Sequence, residues 1–502
     1  MSSYIIYVVL LSIWNVVLFF NKTYGISVIL FMIPLLLLIL CIFKKKNLIK
    51  DKKGLLFMIP ILLLSISYSI YESSLFYILN ILVIPILFLL MYIYTIKPSR
   101  DILQVLPEMG YLLFEPIAQI GNYYKSVKDS FNKSKGISSK TKKNLKSLLI
   151  IIPIVVVILA LLMSADSIFK GLFSGLIDIT NKLELLNNIL GKIVIFIVVF
   201  TYLGATLLTL IEKYIDSKRV ESKPIIKDAN TIKILMVILN VIYVVFDFIQ
   251  IKDLMLKNVS SGFDYATYAR QGFFELLAVS IINISIILLS KNYKTNDKKE
   301  NKFININGIL MVLLTIVIII SSFMRMNLYE SVYGYTMLRL LVYVSLITEA
   351  ILMIPTIIYI VNPKVSILKY YIAIIISVYT IINFINFDYI IARRNVDRYY
   401  ASGMKVSTLN SDIRADFYHN VTMYKYPKLD LNYLETFTAD NIDVLLELYY
   451  KTNDPYMIEA LNAYFDIYVE RQKELSWQEY NISKSNAYEK LKNYKRINPR
   501  FN

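Results

Sequence analysis

The sequence predicts an all-α protein: a polytopic transmembrane helical bundle of about eleven spans with a small α-helical extracytoplasmic C-terminal domain. Two observations support this prediction. The 502 residues are 57% hydrophobic, and apolar runs of 18 to 25 residues recur along the chain, each long enough to cross about 30 Å of hydrocarbon as a helix. After residue 389 these runs stop, and nearly balanced charge with short amphipathic repeats takes their place.

The apolar runs divide the chain into four predicted regions. Residues 1–96 hold four transmembrane helices, 97–146 hold none, 147–388 hold a seven-helix core, and 389–502 form the C-terminal domain. The predicted spans are 4–20, 25–43, 54–71, 75–96, 147–164, 188–211, 231–251, 272–290, 303–322, 337–361 and 370–388. The last of these has a polar exit, at Asn383, Asn386 and Asp388.

Residues 97–146 are predicted to form a cytoplasmic amphipathic segment and a basic linker. In residues 101–128, Pro107 and Pro116 interrupt the chain, and the apolar residues cluster as they do in an interfacial helix. A Lys- and Ser-rich stretch follows, which is typical of a solvated linker. The segment joins the first four spans to the later seven.

The net charge of +17 is distributed so that it orients the protein in the membrane. Loops 44–53, 97–146, 212–230, 291–302 and 362–369 carry 28 Lys and Arg residues. The alternating loops carry seven: Lys22, Lys170, Lys182, Lys252, Lys257, Arg270 and Arg325. By the positive-inside rule, the N-terminus lies in the cytoplasm and the C-terminal domain outside a cell membrane. The basic excess therefore predicts contact with the lipid bilayer and no binding of nucleic acid.

The C-terminal domain has the sequence signals of short capped helices. Asp440 precedes an apolar stretch that it can cap, and Asp454 precedes Pro455 at a predicted first helical position. Beyond them, an amphipathic stripe repeats at spacings of three and four residues, formed by Ile458, Leu461, Phe465 and Tyr468.

The residue inventory argues against several kinds of chemistry. The one cysteine, Cys41, lies inside a predicted span, and the one histidine, His419, lies far from every span. No metalloprotease, phosphate-loop or nucleophile-elbow motif occurs. The sequence therefore predicts no catalytic residue, no metal site and no cofactor.

Three polar stretches fall on one predicted outer face, and together they predict an outward-facing polar vestibule. They are SADSIF (164–169), FDYATYARQGFFELLAV (263–279) and the stretch from residue 323 into the tenth span. The candidate ligand-binding residues are Tyr265, Tyr268, Arg270, Glu275, Arg325, Tyr329, Glu330, Tyr333 and Arg339, with Asp166 beside them. The alternative for the Tyr and Arg residues is anchoring at the membrane interface, and for Asp166 a helix cap.

The stretch around Gly334 has a specific predicted geometry. If 325–333 is a short helix, Arg325, Tyr329 and Tyr333 share one face at spacings of four. Gly334 would end that helix, and Thr336 would cap the tenth span.

Glu349 is an ionisable residue near the middle of the tenth span. A midplane carboxyl facing lipid costs on the order of 3 kcal/mol or more, so we predict that Glu349 faces the bundle interior. The candidate partners are Asn240, Tyr243 and Asn283, each near the middle of its own span. Either the carboxyl has a purely structural hydrogen bond, or it carries a proton as part of function.

The motifs SADSIF, YARQGFFELLAVSIINISIIL and RMNLYESVYGYTMLRLLVYV resemble, in this order, the membrane proteins grouped as domain of unknown function 4173, with relatives in 4153. The resemblance covers roughly residues 50 to 450, including LDLNYLETFTADNIDVLLELY (429–449). The matching motif positions are Tyr268, Arg270, Gly272, Phe273, Tyr329, Tyr333, Gly334, Thr336, Leu338 and Arg339. Glu275 stands where the family more often has Gln. The resemblance implies an integral membrane protein of a bacterial cell and no established activity.

Three functions remain open. The sequence favours a non-enzymatic envelope sensor or scaffold, with a lipid headgroup or another envelope component as partner of the vestibule. A secondary transporter using Glu349 is the first alternative, although no inverted repeat is evident. A membrane enzyme acting on lipid-linked or cell-wall precursors, with Asp166 or Glu275 as acid or base, is the second.

Overall fold

The computed structural model describes residues 2–96, 102–133, 180–212, 229–251, 273–290, 298–362, 365–403, 429–435, 439–473 and 475–497. Within these ranges the protein is built from helices and short connections and contains no β-strand. The predicted all-α fold class is confirmed. The chain divides into two compact units.

Six described helices are long and apolar enough to cross a membrane, and a bent pair would make a seventh. This confirms a polytopic membrane architecture. The predicted number of about eleven spans is not established. The predicted span 147–164 lies outside the described residues. The predicted span 54–71 begins within a 3-10 helix, Lys52–Phe57, and contains a ten-residue α-helix, Met58–Ser67. Two further apolar helices, Tyr4–Phe19 and Leu276–Ser290, are shorter than the other candidates.

Unit 1 comprises Met1–Ile70, Ser74–Val220 and Glu474–Ile482. Its helices are α1 (Ser2–Phe19), α2 (Ile26–Lys45), α3 (Met58–Ser67), α4 (Ser74–Ile96), α5 (Ile102–Ala118), α6 (Ile120–Lys133) and α7 (Thr180–Glu212). A core of buried apolar side chains joins α1, α2, α6 and α7 and includes Leu18, Ile42 and Phe200. The indole Nε1 of Trp14 on α1 donates to the carbonyl oxygen of Leu30 on α2 at 3.0 Å.

The segment with two prolines differs from its prediction. Helix α5 continues through Pro107 and ends two residues after Pro116, so the prolines do not interrupt it as predicted. An interior proline costs about 3 kcal/mol through its missing N–H and its steric clash. Burial of Val105 and Leu112 on one side of α5 helps to offset this cost. Its placement on a membrane surface remains a prediction.

Helix α6 is held against α7 by one close fit. Tyr123 is completely buried, and a Cβ added to Gly204 would stand 2.0 Å from the tyrosine ring. Only glycine leaves room for the ring at this point on α7.

Unit 2 comprises Tyr71–Ser73, Glu221–Lys473 and Ser483–Asn502. Its helices are α8 (Ala229–Gln250), α9 (Phe273–Ser290), α10 (Lys298–Tyr333), α11 (Met337–Val361), α12 (Ile367–Ile382), α13 (Phe387–Ala401), α14 (Leu431–Glu435), α15 (Ile442–Lys451), α16 (Pro455–Lys473) and α17 (Ile482–Ile497). Helix α10 is the central element and packs against α8, α9 and α11. Its buried residues Met311 and Val312 form a core with Met236, Leu346 and Met353.

Helix α10 is longer than predicted. It has 36 residues, about 54 Å at 1.5 Å per residue, so the predicted span 303–322 and the predicted short helix 325–333 form one continuous helix. No helix-breaking residue lies between them in the sequence, and the helix stops only before Gly334.

The predicted span 370–388 does not form one straight helix. Helix α12 ends at Ile382, and α13 leaves at an angle of 61°. The asparagines that made this exit polar help to form the bend. Asn383 donates to the carbonyl oxygen of Tyr379 at 2.9 Å, and Asn386 accepts the Tyr389 N–H at 2.9 Å as the cap of α13.

The C-terminal helices partly match their prediction. Pro455 is the first residue of α16, and Asp454 accepts the backbone N–H of Tyr456 at 3.0 Å, as predicted. In the predicted stripe, Leu461, Phe465 and Tyr468 are buried and Ile458 is half-buried. The predicted cap at Asp440 is wrong, because Asn441 is the N-terminal flanking residue of α15. Asp440 instead lies in a 3-10 turn and binds groups distant in sequence.

Candidate functional site

The turn between α10 and α11 is held by one side chain of α13. Oδ1 of Asn395 accepts the backbone N–H of Tyr335 at 2.8 Å, and Nδ2 of Asn395 donates to the Tyr335 carbonyl oxygen at 2.9 Å. Arg398, one turn along α13, donates to the carbonyl oxygen of Ser331 at 2.8 Å. Because these bonds satisfy backbone groups that neither helix pairs internally, they fix the turn to α13.

Gly334 makes this arrangement possible. Its φ is +82°, in the left-handed region that favours glycine, and the predicted end of the helix at Gly334 is confirmed. A Cβ at this position would stand 2.5 Å from Nη1 of Arg398 and 2.7 Å from Oδ1 of Asn395. Thr336 occupies the position before α11, but its side chain makes no capping bond. The first N–H of α11, that of Met337, donates instead to the hydroxyl of Tyr433 at 3.1 Å.

Arg339 contacts two tyrosine rings of the neighbouring helix. Its guanidinium carbon is 4.4 Å from the ring centroid of Tyr329 and 5.8 Å from that of Tyr333. It also donates a hydrogen bond to the carbonyl oxygen of Gly334. Cation–π contacts of this kind contribute about 0.5–2 kcal/mol each. Arg339 thus contacts tyrosine side chains of another helix, as well as the backbone of the turn.

Glu330 and Arg325 are buried on the same helix and bind different partners. The side chain of Glu330 is hydrogen-bonded to Tyr335 and Tyr343. Burial, then the hydrogen bond and charge of Glu330, raise the pKa of Tyr335, so its phenol stays protonated near neutral pH. Nη2 of Arg325 donates to Oε1 of Gln250 on α8 at 2.7 Å.

Glu349 is buried inside unit 2, with 6% of its surface exposed, so its predicted inward orientation is confirmed. Its partner differs from the three candidates. Oγ of Ser280 on α9 donates to Oε2 of Glu349 at 2.8 Å. The candidates bind other groups: Tyr243 donates to Asn283 at 2.6 Å, and Asn240 donates to the Asn307 carbonyl oxygen at 3.1 Å.

These contacts belong to a line of polar groups among α8, α9, α10 and α11, which we call the polar seam. It includes a salt bridge of 2.7 Å between Lys233 and Glu300. The seam also contains the pairs Asn240–Asn307, Tyr243–Asn283, Asn283–Thr315, Ser280–Glu349, Gln250–Ser321 and Gln250–Arg325. Buried polar groups need such partners in an apolar environment.

Asp247 is a further buried acid that sequence reasoning missed. It is 4% exposed, and neither carboxyl oxygen has a hydrogen-bond partner among the described residues. It follows Tyr243 by one turn on α8, which places it beside the polar seam. The energetic argument applied to Glu349 would also have identified Asp247, because Asp247 is the one acidic residue in the apolar run 231–251.

Several predicted site residues cannot be compared with the structure. Tyr265, Tyr268, Arg270 and Asp166 lie outside the described residues, and Glu275 lies in the first turn of α9. The residues that the structure brings together at the α10–α11 turn are Tyr329, Glu330, Tyr333 and Arg339. Sequence reasoning missed Asn395 and Arg398. Their spacing of three residues, which places them on one face of α13, was the available signal.

The side chains at the turn and in the polar seam have two kinds of chemistry available to them. Arginine beside tyrosine can bind an anionic or hydroxyl-bearing group, and a buried carboxyl can take up or release a proton. Within the described part of the chain, no three His, Cys, Asp or Glu side chains are grouped so as to hold a metal ion.

The fold and its polar seam define a multi-pass helical membrane protein. The chain belongs to the family described as Domain of unknown function (DUF4153), whose model matches residues 58–448. The resemblance to family 4173 is not supported, whereas the relationship to 4153 is. Neither a curated protein nor a solved structure matches the chain.

Proposed function

We propose that the protein is a non-enzymatic envelope sensor or scaffold with an outward-facing polar pocket. The observation that carries the proposal is the double hydrogen bond between Asn395 and the backbone of Tyr335. Through it, α13 is attached to the turn that begins α11, the helix that carries Glu349. A displacement of the C-terminal helices would therefore act directly on α11.

The proposed polar pocket lies at this turn. Arg339, with the two tyrosine rings beside it, suits a phosphate or hydroxyl group, as found on lipid headgroups and other envelope components. Binding of such a group would compete with the Tyr329 and Tyr333 rings for the guanidinium. That competition would couple occupancy of the pocket to the position of the turn.

The unequal distribution of Lys and Arg between alternate loops supports the proposed orientation of the protein in the membrane. In that orientation the N-terminus lies in the cytoplasm and the turn lies outside. Two single cysteines test it in a background in which Cys41 is replaced by serine. A membrane-impermeant thiol reagent applied to intact cells should label Glu459→Cys but not Ser138→Cys. The reverse labelling would overturn the orientation and the outward pocket with it.

A chemical probe of Glu349 tests the coupling. An apolar carbodiimide reacts with buried carboxyl groups, and peptide mass spectrometry locates the product. We expect Asn395→Ala to change the labelling rate of Glu349 several-fold, because α11 loses its attachment. Asp397→Ala is the matched control, since Asp397 lies on the same helix and pairs with Arg393 at the surface. Equal labelling of Glu349 in wild type and Asn395→Ala would contradict the proposal.

Secondary transport is the second candidate, favoured by two buried acids, Glu349 and Asp247. Asp247 is four residues from Tyr243, and Ser280, which binds Glu349, is three residues from Asn283, so both acids lie within about one turn of the same contact. Buried intramembrane acids are typical of ion-coupling sites. Proteoliposomes carrying a pH-sensitive dye would show proton flux that Glu349→Gln abolishes. Identical flux in both proteins would exclude a coupling role for Glu349.

A further inference from the structure

A second polar cluster in unit 2 surrounds Glu72. Nζ of Lys484 is 3.1 Å from Oε1 of Glu72, and the backbone N–H of Ala439 donates to Oε2 at 3.1 Å. The backbone N–H of Glu72 donates to Oδ2 of Asp440 at 3.1 Å, while Ser483 donates to Oδ1 of Asp440. These bonds join residues 71–73, the 3-10 turn Ala439–Asn441 and the first turn of α17.

Asp388 brings a third carboxyl to this cluster. It lies in the first turn of α13, is 8% exposed, and feels the negative charges of Asp440 and Glu72. Its carboxyl has no hydrogen-bond donor among the described residues. A buried carboxylate with no donor beside two other carboxylates is strongly disfavoured.

Among the described residues, one ammonium group directly contacts the cluster. Lys484, 6% exposed, is the ammonium in direct contact with Glu72. From α16 and α14, Tyr468 and Tyr433 face the carboxyls as phenols, and Arg339 acts on Tyr433 together with Asp388. If all three acids were ionised, the described part of the cluster, with Lys484 included, would carry two excess negative charges.

We propose that Glu72, Asp388 and Asp440 form a proton-binding site, and that the bound proton holds α13, the 3-10 turn and α17 together. With the proton bound, the carboxyls hydrogen-bond to one another and to their backbone donors. When the proton leaves, mutual repulsion loosens the C-terminal helices from residues 71–73. This site goes beyond the attachment at Asn395 and does not depend on it.

The raised pKa of Asp440 agrees with the crowding of carboxyl groups that the contacts describe. Burial raises the pKa to about 6, against the lowering effects of the Ser483 and Glu72 hydrogen bonds and together with the charge of Glu72. Because the folded pKa exceeds the unfolded value of 3.8, the folded state binds more protons between the two values. The stabilisation is therefore complete below about pH 4 and is lost as the pH rises through about 6.

Amide hydrogen exchange of the full-length protein in lipid nanodiscs tests the proposal, with rates corrected for the intrinsic effect of pH. For wild type, we expect the protection of α15 and α17 to fall about tenfold between pH 5 and pH 8, as one carboxyl of folded pKa near 6 requires. Asp388→Asn removes one negative charge, so this fall should largely disappear, with higher protection than wild type at pH 8.

Two further variants keep the test decisive if Asp388→Asn folds poorly. Lys484→Gln removes the contacting cation and so raises the folded pKa of the cluster, so the fall should extend to higher pH and be larger than in wild type. Asp443→Asn removes an exposed acid that pairs with Lys490 at 2.6 Å, and its profile should match that of wild type. Protection in wild type that does not change between pH 5 and pH 8 would overturn the proposal, as would an Asp388→Asn profile identical to that of wild type.

Discussion

Asn395 of α13 binds both backbone groups of Tyr335 in the turn between α10 and α11. The amide side chain of Asn395 thus satisfies the backbone N–H and the carbonyl oxygen of Tyr335, which in a helix or a sheet would bind other backbone groups. Such an arrangement holds only if no side chain at Gly334 pushes α13 away.

Gly334→Ala should destabilise the protein more than Gly403→Ala. Both glycines have φ near +80°, so each substitution carries the same backbone strain of about 1–2 kcal/mol. The new Cβ at 334 also displaces Arg398 and Asn395, whereas nothing lies within 4 Å of the Cβ at 403. Thermal unfolding followed by circular dichroism in nanodiscs measures the difference. Equal losses of stability in the two variants would show that the contacts at Gly334 do not matter.

Arg339→Lys should destabilise the protein by about 0.5–2 kcal/mol although the charge is kept. Lysine cannot present a planar cation to two rings and also donate to the Gly334 carbonyl. Tyr329→Phe should be nearly neutral, because it keeps the ring. Chemical unfolding of the three proteins checks both expectations, and a neutral Arg339→Lys would indicate that charge alone is needed.

Ser280→Ala should be more harmful alone than in combination with Glu349→Gln. Removal of the serine hydroxyl leaves the Glu349 carboxyl without the donor seen at 2.8 Å, at a cost of about 1–3 kcal/mol. An amide at position 349 carries no charge and is easier to bury. A double-mutant cycle on unfolding measures the coupling. Strictly additive losses would mean that the hydrogen bond contributes nothing.

The hydrogen bonds of the Glu479 carboxylate should stabilise unit 1, and this stabilisation should be lost at acid pH. Its carboxyl accepts the backbone N–H of Thr23 at 2.8 Å and that of Ser476 at 3.0 Å. Burial raises its pKa, but these bonds and the two hydroxyl bonds outweigh burial and hold the pKa below 4.5. The stabilisation is present above pH 4.5 and is lost as the pH falls through the folded pKa. Unfolding profiles of Glu479→Gln should be flatter than wild type below pH 4.5; parallel profiles would refute this.

The sequence was sufficient to predict the helical membrane fold and the inward orientation of Glu349, because both follow from the cost of exposing polar groups to lipid. The identity of its partner was not predictable in the same way. Ser280 and Asn283 lie on one helix three residues apart, and only the rotation of α9 about its axis decides which of them meets Glu349.

Three other outcomes depended on tertiary contacts. The course of α5 through Pro107 reflects packing that local propensity does not contain. Asn395 and Arg398 belong to a polar helix without a functional signature, and their role follows from the approach of α13 to a turn about sixty residues earlier in the chain. Asp440 caps no helix, because Glu72, distant in sequence, is its partner.

Amide hydrogen exchange along α11, compared between wild type and Asn395→Ala in nanodiscs, measures most directly whether α13 controls this helix. Asp397→Ala serves again as the control. If α13 and α11 move as a coupled pair, Asn395→Ala lowers protection at Tyr335 and Met337 and along α11 toward Glu349. Lower protection confined to α13 and Tyr335, with α11 unchanged, would show that the C-terminal helices and α11 are independent, and would contradict the proposed sensor.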